Sequence, residues 1–147
     1  MITLPHEYLA EFLRASLHLN TILNRNEDFL EGKVTIGEWL VMKTILADEE
    51  CQQKVLSKKL GFSRQRVSKI LEGLKKAEFI SIKTTALKDG KSINRLSLTN
   101  SGNKSVGVVE AKLGSVLSEV SEADLLLLSK ASKSVRRINR ALSKKGD

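Results

Sequence analysis

The stretch from Gln52 to Lys76 constrains the fold more than any other part of the chain. Val55, Leu56 and Leu60 mark a short helix, and Gly61 stands where a left-handed C-terminal cap is needed. Phe62 leads directly to Ser63, a good N-cap, after which Val67, Ile70, Leu71 and Leu74 line one face of a further helix. Two helices joined by a tight glycine-containing turn predict a helix-turn-helix. At about 100° per residue, the outward face of the second helix carries Gln65, Lys69, Glu72 and Lys76, flanked by Arg66 and Ser68. Near its N-terminus that face is polar and mostly basic, as a helix that meets base edges in a major groove requires.

The charge distribution points to the same segment. The chain of 147 residues has a formal net charge of +8, but residues 1 to 51 hold four basic and nine acidic side chains, whereas residues 52 to 95 hold twelve and three. Residues 96 to 147 hold nine and five. A charge run is commonly just a solvated surface. An acidic segment abutting a strongly basic one within a single small domain favours a nucleic-acid face instead.

After Glu78 the apolar period changes from helical to two. Phe79 to Thr85 and Ile93 to Thr99 are rich in β-branched residues and flank the turn sequence Lys88-Asp89-Gly90-Lys91, which predicts a β-hairpin with a basic tip. Upstream, Thr35-Ile36-Gly37-Glu38 is a capping box opening a helix with Trp39, Leu40, Met42, Ile45 and Leu46. An earlier helix runs from about Pro5 to Asn24, with Leu9, Phe12, Leu13, Leu19 and Leu23 at helical spacing, and Asn26 to Lys33 reads as a loop. Downstream, Thr99 caps a helix from about Ser101 to Ser118, and Ser121 to Asp124 opens the last one. In that helix Leu128, Ala131, Val135, Ile138 and Leu142 form a narrow apolar seam that needs a partner helix, either the first helix or a second copy of the chain.

These elements predict a mainly α fold with a small β-hairpin (α+β), built as one domain over residues 1 to 147. A winged helix-turn-helix occupies residues 35–99, and residues 1–25 and 101–147 form helical parts suited to dimerisation. The words Ile36-Gly37-Glu38-Trp39-Leu40-Val41-Met42, Val55-Leu56-Ser57-Lys58-Lys59-Leu60-Gly61-Phe62-Ser63, Val67-Ser68-Lys69-Ile70-Leu71 with Leu74, and Leu98-Thr99 with Gly102 give the chain a nearly full-length resemblance to the MarR family of transcriptional regulators.

The resemblance implies a homodimer made by the first and last helices, which binds a pseudo-palindromic operator and usually represses. Recognition helices in such dimers lie about one DNA turn apart, roughly 34 Å. Carried over by position, the DNA contacts are Ser63, Gln65, Arg66, Ser68 and Lys69 from the helix, and Lys88, Lys91 and Arg95 from the wing. The amide of Gln65 suits adenine and the guanidinium of Arg66 suits guanine, although both residue types serve equally as phosphate contacts. Counted back from the Leu-Thr pair, the family's wing carries Asp and two basic residues where this chain has Gly90, Lys91 and Ser92, with Asp89 one position early. The resemblance also implies a small-molecule effector, whose pocket His18 and Trp39 border if they are not simply packed.

Other functions find less support. Two histidines, His6 and His18, do not make a metal site, and no nucleophilic or acid-base constellation suggests an enzyme or a cofactor. Cys51 is the lone cysteine, which excludes an internal disulfide, and its acidic neighbours Asp48, Glu49 and Glu50 oppose a reactive thiolate. The N-terminal residues lack a basic start followed by an apolar run, so the expected protein is cytoplasmic and makes no membrane contact. Lys54, Lys58 and Lys59 are phosphate contacts or solvated side chains, and the cations from Lys130 to Lys145 are explained by the dipole at the end of the last helix. The rival function is a winged-helix adaptor that binds proteins and never DNA alone.

Overall fold

The computed structural model describes residues 4–25 and 34–145. The loop expected at Asn26 to Lys33 therefore lies outside the described residues. Helix α1 spans Pro5–Arg25, α2 Ile36–Ala47, α3 Gln53–Leu60 and α4 Arg64–Lys76. Strands β1 (Ile80–Ala86) and β2 (Ser92–Leu98) precede α5 (Asn100–Leu117) and α6 (Glu122–Lys145). The chain divides into two compact units, residues 1–112 and 113–147, with the boundary inside α5.

Local chemistry sets most of the element ends in the first unit. At α2 the Thr35 hydroxyl accepts from Glu38 N at 3.1 Å while the Glu38 carboxylate accepts from Thr35 N at 2.9 Å, so both halves of the capping box form. Helix α3 ends at Gly61, whose φ of 69° is the left-handed conformation that glycine adopts without strain. The Ser57 hydroxyl donates to the Phe62 carbonyl at 2.6 Å and ties the turn to the helix before it. Ser63 then accepts from Arg66 N at 3.1 Å and starts α4.

The core gathers where α2, α3, α4 and the hairpin meet. Met42, Leu56, Leu74, Val41, Val67 and Cys51 are fully buried, and Ile45, Leu71, Ile80 and Leu96 join them. Fully burying side chains of this size stabilises by about 1.5–3 kcal/mol each before entropy is counted. The apolar stripe that sequence periodicity assigned to α4 is thus its packed face, and the remaining faces are left for ligands.

The hairpin pairs Ile80 with Leu98 through Ala86 with Ser92. Its tip is closed by Leu87 N donating to Lys91 O at 2.7 Å and by Gly90 at a φ of 82°. At its root, Thr99 N donates to the Phe79 carbonyl at 3.0 Å, and the Thr99 hydroxyl donates to the Glu78 carbonyl at 2.6 Å while accepting from Gly102 N at 3.0 Å. A Cβ at Gly102 would overlap the Phe79 carbonyl oxygen, so the Leu98-Thr99 and Gly102 word marks a close crossing of backbones.

Helix α1 and helix α6 differ from this core. Leu9, Phe12, Leu13, Leu17, Leu19 and Ile22 of α1 are exposed, as are Leu128, Ile138 and Leu142 of the seam in α6, where Ala131 and Val135 are half-buried. Among the described residues, no helix is long and apolar enough to cross a membrane.

Candidate nucleic-acid interface

Helix α4 presents three distinct flanks outside its buried stripe. Gln65, Ser68, Lys69 and Lys76 are exposed on the side opposite Val67, and Lys76 is joined by Glu72 in an ion pair at 3.6 Å. That pair is highly exposed and contributes little to stability. It does neutralise the C-terminal end of the face, leaving Gln65, Ser68 and Lys69 as its exposed polar and cationic groups near the N-terminus, with no ion-pair partner for Lys69 among the described residues.

Arg66 takes another course. About 100° of helical rotation from Val67 turns it toward α2, where its guanidinium carbon lies 3.8 Å from the centroid of the Phe62 ring. A Cβ added to Gly37 would lie 3.2 Å from Arg66 Nη2, so the glycine of the second helix leaves room for this side chain. The sequence places Arg66 beside the reading face. In the folded chain it is a stacked arginine at the border of that face, still exposed but held in one orientation.

On the opposite flank stands Arg64, which sequence reasoning missed. It lines a cleft of about 410 Å³ with Gln53, Lys54, Ser57 and Val67, between the first turns of α3 and α4. The periodicity of α4 alone could not single it out, because its neighbours come from α3. Its position next to Ser63, one residue past a cap, was the available signal. The Ser63 hydroxyl is already engaged as the cap acceptor, so its role in the site is at least partly structural.

Lys88 and Lys91 are exposed at the hairpin tip, and neither ammonium has an ion-pair partner among the described residues. Asp89 accepts from Lys91 N at 3.1 Å and so closes the turn itself. Its early position relative to the family's wing is the position from which its side chain holds this tip. Arg95 is not at the tip. It is half-buried at the middle of β2, donating from Nη1 to Thr85 Oγ1 at 3.3 Å, with Nη2 3.8 Å from Glu50.

The remaining candidates are scattered. His18 is exposed on α1, while Trp39 is half-buried on α2 with its indole N–H buried and without a hydrogen-bond partner among the described residues. Cys51 is fully buried, and burial, reinforced by Asp48 and opposed by Lys59, raises its pKa above the ordinary thiol value. No group of three or more metal-ligating side chains gathers among the described residues.

No protein-family profile and no curated protein matches the sequence. Solved structures do match in three dimensions. A MarR protein from Peptoclostridium difficile superposes with a TM-score of 0.70 at 16% identity, covering 100% of this chain and 96% of its own. A putative MarR-family regulator from Listeria monocytogenes, complexed with 26mer DNA, gives 0.64 at 21% identity over 93% of this chain and 89% of that one. Staphylococcus aureus MarR in complex with salicylate and kanamycin gives 0.62 at 14% identity, over 92% of each chain. With a capped helix-turn-helix, a basic-tipped hairpin and helices on either side, this chain has the winged-helix fold of MarR-family transcriptional regulators.

Proposed function

We propose that the protein is a sequence-specific DNA-binding transcriptional regulator that acts as a homodimer on a pseudo-palindromic operator, as a ligand-responsive repressor. One observation carries this reading: the cations of the most basic segment converge on a capped helix and its wing. Lys69 and Gln65 stand on the outward face of α4, Arg64 and Lys54 line its α3 side, and Lys88 and Lys91 stand at the hairpin tip. Gln65, Ser68 and Lys69 are the base-edge candidates, with Arg66 beside them as a preoriented donor. Arg64, Lys54, Lys88 and Lys91 neutralise phosphate.

Binding of the full chain to duplexes selected from random sequence, measured across a salt series, tests this. Phosphate neutralisation gives a steep decline of affinity with salt, and Lys69→Ala lowers affinity for the selected site more than for random duplex. Flat salt dependence, or no duplex binding at low salt, would instead favour the protein-binding adaptor.

A second copy would cover the apolar residues left exposed on α1 and those left exposed on α6, since apolar helix faces of this kind mark an interface. Sedimentation showing a monomer at micromolar concentration would remove the dimer. The effector rests on the fold shared with a salicylate-bound protein and on the buried indole N–H of Trp39, which has no hydrogen-bond partner among the described residues. Trp39 is the only tryptophan, so its fluorescence during salicylate titration, corrected for salicylate's own absorbance and emission against free tryptophan, reads a nearby binding event.

A further inference from the structure

Arg95 occupies a place unlike that of the other cations in the basic segment. Its guanidinium sits at the middle of the hairpin, reaching Thr85 of β1 at 3.3 Å and Glu50, in the loop between α2 and α3, at 3.8 Å. Its Nε is buried and has no partner among the described residues, and the side chain as a whole is 32% exposed, against 77% for Glu50. One residue further along both segments, Leu96 N donates to the Cys51 carbonyl at 2.7 Å. Glu50-Cys51 and Arg95-Leu96 therefore run side by side, joined once through backbone and once through charge. The recess around them is lined by Glu49, Glu50, Lys83, Arg95, Leu96 and Ser97.

We propose that Arg95 is a positioning residue that docks the wing against the helix-turn-helix, with Glu50 as its anionic anchor, so that a negative charge on this protein strengthens its binding to DNA. The inference rests on the DNA-binding reading above. A guanidinium buried at Nε and engaged at both Nη atoms has little freedom left to follow a phosphate. It does fix the direction in which Lys88 and Lys91 project, because it ties the hairpin at mid-length, where Arg95 pairs with Lys83, to the loop ahead of α3 and so limits how far the tip can swing about its root at Thr99.

The sign of one substitution separates this role from a direct contact. If Arg95 touches phosphate, Glu50→Gln removes an anion near DNA, frees the guanidinium, and tightens binding. If Arg95 positions the wing, the same substitution weakens binding although the protein has become more positive. The test measures binding of the full-length chain to a duplex it selected from a random pool, over a series of KCl concentrations.

The expected result is that Glu50→Gln weakens binding several-fold, and that Arg95→Gln and Arg95→Lys each weaken it by roughly tenfold, the lysine failing to rescue because it lacks the guanidinium's fork. The double variant with Glu50→Gln is no weaker than Arg95→Gln alone. Arg95→Gln leaves the salt slope unchanged, whereas Lys88→Ala flattens it by about one. Tighter binding by Glu50→Gln, rescue by Arg95→Lys, or a slope flattened by Arg95→Gln overturns the inference while leaving the DNA-binding reading intact. Failure of the wild-type chain to bind any duplex at low salt removes that reading and this inference with it. Should Arg95→Gln not fold, the exposed Glu50→Gln decides the question by its sign.

Discussion

Arg66 lies over the ring of Phe62, its guanidinium carbon 3.8 Å from the centroid, so the turn of the helix-turn-helix orients the arginine that follows it. An exposed cation–π contact is worth about 0.5–1 kcal/mol. Phe62→Leu should therefore reduce affinity for the selected duplex by roughly two- to fivefold through lost preorientation of Arg66. In an Arg66→Ala background the same substitution should have almost no effect, and a double-mutant cycle reads the difference. Equal losses in both backgrounds would show that Phe62 acts through packing alone.

Two glycines of α5 predict opposite outcomes. Gly102 faces the Phe79 backbone with no space for a methyl group, so Gly102→Ala should destabilise by about 1–3 kcal/mol, as overpacking of a rigid neighbour does. Gly107 has nothing within 4 Å of an added Cβ. There alanine should stabilise by about 0.5–1 kcal/mol, the ordinary helix-interior preference. Thermal unfolding of the two variants should move in opposite directions.

Glu78 has a φ of 62°, the described non-glycine residue with a positive φ. It occupies the left-handed position that ends α4, with Phe79 N donating to Leu74 O at 2.9 Å and Glu78 N to Lys75 O at 3.0 Å. The left-handed conformation costs roughly 1–2 kcal/mol for a residue with a Cβ. Glu78→Gly should raise the midpoint of thermal unfolding by a few degrees despite glycine's greater freedom when unfolded. A lowered midpoint would mean that the Glu78 carboxylate makes a stabilising interaction.

Burial, with Asp48 reinforcing it, raises the Cys51 pKa, so the folded protein holds less thiolate at any pH near 8 than a free cysteine would. Alkylation by iodoacetamide at that pH should be slow in the native state and fast in denaturant. Because the folded pKa is raised, the thiol form favours folding below the ordinary thiol pKa, and that contribution fades as pH rises through the elevated value. Rapid native-state alkylation would revive a redox role.

The sequence made legible those features whose causes are local. Gly61, Ser63 and the Thr35-Glu38 box act within one helical turn, and the buried face of α4 follows from spacing alone. Features set by another segment stayed hidden. Arg64 gains its neighbours from α3, Arg95 its anion from the loop before α3, and Cys51 supplies only a single backbone acceptor to β2, which leaves no periodic trace. The angle of Arg66 on the helix places it on the flank of the outward face, but nothing in that angle reveals the contacts with Phe62 and Gly37, which come from the turn and from α2.

The hydrogen bond from Leu96 to Cys51 also bears on how the protein avoids misassembly. A two-stranded ribbon has two outer edges, each able to template pairing with another chain. The contact at Cys51 occupies the middle of one edge, and Lys83 sits at the centre of the strand that forms the other. An intruding strand would have to displace a buried residue on one side or lie along a lysine on the other. The hairpin can thus project into solvent without becoming a seed for aggregation.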